Sequence, residues 1–141
     1  MTWDELSERQ QAAQLLRVLA DLARADGEVH AREADFLRQA GAHHGLPAAE
    51  VERLLRGDGD AESPTLPLAE PERLEVLYYL VALTQTDGTV GDREAAGVAR
   101  YAHRLGFREE LGAQLVGLAR EYGRYQVPWA ELWSRVRAYL N

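Results

Sequence analysis

The stretch that decides the fold is ARADGEVHAREADFLRQAGAHHGL, residues 23–46, because it returns 61 residues later as TQTDGTVGDREAAGVARYAHRLGF, residues 84–107. Both carry the octet D-G-x-V-x-x-x-E, at 26–33 and at 87–94. In each octet a glycine stands where one helix should stop, and apolar positions then recur at the three- and four-residue spacing of a helix that buries one face. The shift also holds outside the octets. Leu15 falls on Val76, Leu19 on Leu80, Leu22 on Leu83, Leu54 on Leu115 and Leu55 on Val116. This spacing predicts an internal duplication: two helical hairpin repeats about a pseudo-twofold axis, neither able to bury its apolar face alone.

Punctuation predicts seven helices, over about 3–25, 31–43, 48–56, 71–86, 92–105, 108–122 and 129–140. Thr2 with Glu5 reads as a capping box, and Pro71 and Pro128 suit first turns. Gly27, Gly45, Gly57, Gly88 and Gly106 mark helix stops. The apolar run from Leu74 to Leu83 is too long for a typical strand and is flanked by helix formers, so it reads as a central helix buried on most sides. The expected class is therefore all-α, a seven-helix bundle in a single domain over 1–141. Repeat 1 covers about 10–57, an acidic Pro/Gly-rich linker 58–70, repeat 2 71–118, and a last helix at 128–140 crosses them. The aromatics Tyr122, Tyr125, Trp129, Trp133 and Tyr139 are expected to dock that helix into its own core.

Composition excludes much chemistry. Sixteen basic residues, all Arg, against 23 acids leave a net charge of −7, which disfavours nucleic acid and anionic membrane surfaces and favours a cation as the small partner. With no Cys there is no thiolate nucleophile, disulfide, or Cys-based zinc or iron–sulfur site. The longest apolar run, Val76 to Leu83, is far short of the roughly 20 residues of a membrane helix. The expectation is a cytoplasmic protein with no direct membrane insertion. No G-x-S-x-G elbow, H-E-x-x-H pair, Glu-x-x-His pair or phosphate-cradling glycine loop occurs, so an enzyme is not expected. His43, His44 and His103 fall near helix ends, where an imidazolium complements the dipole. Asp58-Gly59-Asp60 reads as a solvated helix exit.

The octets hold the remaining chemistry. Helix grammar explains their glycines, valines and glutamates: caps, plugs and N-terminal acids. It leaves Asp26 and Asp87, each placing negative charge at the negative end of a helix, at a cost of roughly 0.3 to 1 kcal/mol. If the repeats pack symmetrically, Asp26, Glu33, Asp87 and Glu94 converge, and their repulsion then needs a cation or raised pKa values. All-oxygen donors suit hard ions, so Ca²⁺, Mg²⁺ or Mn²⁺ is favoured over Zn²⁺. The motif is not an EF-hand, since Gly follows Asp directly. Arg32 and Arg93 precede each glutamate, and either neutralise the cluster or point outward.

At these residues the chain resembles the TerB-like family of tellurite-resistance and stress proteins, over about residues 10–120. The resemblance implies an all-helical bundle and a metal-binding acidic cluster, carried over to Asp26, Glu33, Asp87 and Glu94. It also implies a non-enzymatic role in a chemical stress response, with partners among other stress-response proteins, membrane-associated ones included. The alternative is a metal-free protein–protein adaptor that uses an acidic face or the C-terminal aromatic surface.

Overall fold

The computed structural model describes residues 2–25, 27–57 and 63–139. Asp26 and part of the linker, with Asp58-Gly59-Asp60, lie outside the described residues. Within them every regular element is helical: α1 (Glu8–Ala23), α2 (Ala31–His43), α3 (Ala48–Arg56), α4 (Glu70–Thr84), α5 (Asp92–Arg104), α6 (Glu110–Tyr122) and α7 (Trp129–Val136). Short 3-10 turns precede α1 at Trp3–Glu5 and follow α7 at Arg137–Tyr139. The all-α expectation holds.

Local signals set most boundaries. Adding 61 to the bounds of α2 gives those of α5. The stops recur at the same shift: Gly45 and Gly106 take φ of +78° and +94°. There Leu46 N–H donates to Gly41 O at 2.9 Å, and Phe107 N–H to Ala102 O at 3.0 Å, the bond that closes a helix onto a left-handed glycine.

The first helix departs from expectation. Thr2 makes no side-chain cap, and the capping box forms five residues on, where Ser7 Oγ accepts from Gln10 N–H at 3.1 Å and Gln10 Oε1 accepts from Ser7 N–H at 2.9 Å. This second box wins because stopping the helix at Ser7 lets the preceding turn fold back and bury Trp3, only 7% exposed. The last helix is also shorter than expected, tightening into a 3-10 turn after Val136.

One core joins the elements. Leu15, Leu16, Val18, Leu19 and Leu22 of α1 meet Leu74, Leu77, Leu80 and Leu83 of α4 within it. Helix α4 packs against α1, α5, α6 and α7, as its near-continuous apolar sequence requires. Helix α7 docks through Leu132 and Val136, both fully buried. Of the five aromatics expected to dock it, Tyr122, Trp133 and Tyr139 are partly buried and pack against the core, whereas Trp129 is 50% and Tyr125 81% exposed, because the aliphatic positions one turn apart already fill the inward face.

The halves differ in how their second and third helices meet. On α2 and α3, Arg38 bridges Asp35 at 3.0 Å and Glu52 at 2.7 Å. Sixty-one residues on, all three positions are alanine, at 96, 99 and 113. There the backbones close up instead, so that a Cβ on Gly112 would lie 2.5 Å from the Cα of Ala99.

Candidate cation site

Each octet is a helix exit, a turn and a helix start. Gly27 and Gly88 have φ of +109° and +79°, and their N–H groups donate to equivalent carbonyls, Arg24 O at 2.9 Å and Gln85 O at 3.1 Å. Val29 and Val90 are partly buried and pack against the core. The glutamates follow at N3 of α2 and α5, one turn into each helix.

Glu33 reaches back so that Oε1 accepts the His30 N–H at 3.1 Å. That bond satisfies one of the donors a helix start leaves open. Glu94 Oε1 comes within 3.9 Å of where a Cβ on Gly91 would lie, at the start of α5. The cap reading of Glu33 is thus correct in geometry, yet it does not account for the environment of that carboxyl. Glu33 is only 1% exposed. Its carboxyl is pushed up to about 7, by burial first and then by the charges of Glu94 and Asp87, with the His30 N–H and imidazole opposing.

Three of the four expected residues, Glu33, Asp87 and Glu94, are therefore close enough for two charges of the second octet to act on the buried acid of the first. The fourth, Asp26, lies outside the described residues. Arg32 and Arg93 are both exposed, and no guanidinium acts on Glu33. Of the two options for these arginines, pointing outward is the one found. The donor chemistry fits a hard divalent cation, with oxygen donors and no sulfur, although basic groups lie beside it: His30 acts on Glu33, Arg120 donates to Val90 O at 3.2 Å, and Arg124 Nε lies 3.0 Å from where a Cβ on Gly88 would stand. Convergence is incomplete, since among the described residues no three His, Asp or Glu form a group that could hold a metal ion.

His44, read as a partner of the α2 dipole, does something more specific. Its Nε2 lies 3.0 Å from the Tyr79 hydroxyl and 3.8 Å from Glu75 Oε1 on α4. Nothing local in the sequence signals this pairing across 35 residues. Among the described residues no helix is long and apolar enough to cross a membrane.

Residues 3–56, from the first 3-10 turn to the end of α3, match the model of the family described as Tellurite resistance protein TerB. That segment is TerB-like, as its octet suggested; the second octet lies beyond the matched span. No curated protein and no solved structure matches the chain.

Proposed function

We propose that the protein is a non-enzymatic, cation-binding helical module of a tellurite or chemical stress response, cytoplasmic and acting through other stress-response proteins, membrane-associated ones included. The cation is divalent, with Ca²⁺, Mg²⁺ or Mn²⁺ favoured over Zn²⁺, and its ligands are Asp26, Glu33, Asp87 and Glu94. One observation carries this reading: Glu33 is buried and facing the charges of Asp87 and Glu94 with no basic side chain but His30 acting on it. Burying an acid beside two more is unfavourable unless a proton or a cation offsets the repulsion. Near neutral pH Glu33 is poised between the two, so binding a cation should displace its proton.

Titration calorimetry on chelator-treated protein tests this, run with Ca²⁺, Mg²⁺, Mn²⁺ and Zn²⁺ in two buffers of different ionisation enthalpy. Saturable binding whose heat changes with buffer, showing proton release, is expected. No binding of any of the four ions leaves the adaptor reading, which the exposure of Trp129 and Tyr125 favours.

A further inference from the structure

The start of α1, the end of α2 and the start of α4 line a half-open cleft of about 380 Å³, within the size range of small-molecule sites. It lies at the opposite end of these helices from the octets: His43, on its wall, is ten residues along α2 from Glu33, or about 15 Å of helix. The walls carry three carboxylates, Glu8, Glu72 and Glu75, and two imidazoles, His43 and His44, and among the described residues no arginine lines it. Trp3 forms a further wall, and Gln11 Nε2 ties its turn to α1 by donating to Trp3 O at 3.0 Å.

Two atoms of this wall are orphaned. The indole N–H of Trp3, a residue 7% exposed, has no acceptor, and Glu72 Oε2, shielded from water, has no donor. Buried polar atoms without partners are rare and unfavourable. A donor and an acceptor left open beside one cavity complement a ligand that carries one group of each kind. The carboxylates set its charge as positive. A metal ion does not suit, since its donors must converge within about 2.6 Å and among the described residues no three His, Asp or Glu do so. Separated carboxylates suit N–H donors spread over an organic cation. Glu75 already has His44 beside it at 3.8 Å, which leaves Glu72 and Glu8 to meet the charge.

We propose that this cavity binds a small organic cation, an amine or guanidinium that also carries a carbonyl or hydroxyl oxygen. Glu72 accepts from the cationic N–H groups and Trp3 Nε1 donates to the oxygen. Both atoms are shut off from water, so binding requires the indole of Trp3, on its three-residue 3-10 turn, and the side chain of Glu72, on α4, to rotate toward the ligand. The octet carboxylates play no part in this.

The test is titration calorimetry on the full chain at neutral pH with a chelator present. Argininamide is the probe and N-acetylcitrullinamide, similar in size but uncharged, is the control. Saturable binding of argininamide is expected, at least about ten-fold tighter than the control. Glu72→Gln should weaken it about ten-fold or more, as loss of a charge-assisted hydrogen bond does. Trp3→Phe should weaken it by a smaller factor, and Glu33→Gln should leave it unchanged. If circular dichroism shows Glu72→Gln unfolded, Glu8→Gln on the exposed rim replaces it, with weaker binding again expected. The proposal is overturned by no saturable binding up to about 10 mM, the scale of the weakest fragments. Equal binding of the control, or binding indifferent to loss of the carboxylate in a folded variant, also overturns it.

Discussion

The Tyr101 hydroxyl donates to Asp21 Oδ2 across 80 residues of chain, joining α5 to α1. The two ends of this bond are unlike: Tyr101 is fully buried, while the Asp21 side chain is 47% exposed, with Arg100 Nη2 at 3.4 Å. Burial first, and then the Asp21 carboxylate, raise the phenol well above its ordinary value, so it stays a donor across the physiological range. The guanidiniums of Arg100 and Arg104 lie over its ring at 5.5 and 5.3 Å.

Asp21→Ala should therefore destabilise the protein more than Tyr101→Phe. The first leaves a buried hydroxyl without its acceptor, at about 1 to 3 kcal/mol, and the second removes only the net bond, about 1 kcal/mol. The exposed Arg100 pair adds little to the difference. Urea unfolding of both variants checks the order, and a less stable phenylalanine variant contradicts it.

For Glu33 the pH dependence has a definite sign. Below its ordinary value of 4.5 the carboxyl is protonated in folded and unfolded chains alike and costs nothing. Between 4.5 and about 7 the unfolded chain ionises while the folded one keeps its proton, so stability falls as pH rises, by roughly 3 kcal/mol in all without a cation. Glu33→Gln keeps an acceptor for the His30 N–H and removes the charge. Variant and parent should be about equally stable at low pH and diverge in the variant's favour toward pH 7; parallel stability curves would mean the charge is already compensated.

Asp26→Asn with Asp87→Asn addresses the cation itself. In chelator the double variant should melt somewhat higher than the parent, because repulsion and two unfavourable dipole contacts are gone. An ion at about 100 times its dissociation constant adds roughly 2.7 kcal/mol to the parent, a melting shift on the order of 10 °C. The variant should show no such shift. Four melting curves decide it, and a parent that ignores metal ends the cation reading.

Two glycines on α6 should respond oppositely to alanine. At Gly112 a Cβ would lie 2.5 Å from the Ala99 Cα, which is backbone and cannot swing aside, so Gly112→Ala should cost about 1 to 3 kcal/mol. Gly117 is exposed with nothing within 4 Å of its Cβ position. Gly117→Ala should therefore stabilise by about 0.5 to 1 kcal/mol, the helix penalty of glycine. Thermal unfolding of the pair reads both signs at once.

Where neighbouring residues decide a feature, it was legible in the sequence. The bounds of α2 and α3 were expected at 31–43 and 48–56 and are found there, since stop glycines and first-turn acids act within a few residues. The start of α1 was not, because two boxes compete and burial of Trp3, a tertiary effect, selects Ser7. The candidate site divides the same way. Turn geometry and the capping pose of Glu33 follow from the octet, whereas the exposure of Arg32 and Arg93 depends on which helix face the bundle covers. His44, Tyr79 and Glu75 meet only through tertiary packing, and no local pattern marks them.

The bond from the His30 N–H to Glu33 bears on how sequences of this kind are to be compared. A glutamate that closes the first turn of a helix is favoured by folding alone, whether or not any ion ever arrives. Its retention in another chain is then weak testimony to a shared ligand. The aspartate ahead of the glycine gains nothing from the helix dipole, since negative charge there opposes the helix it follows. Among chains with this octet, those that have given up cations should lose the aspartates first and keep the glutamates, and a survey pairing sequence with metal titration can see that order.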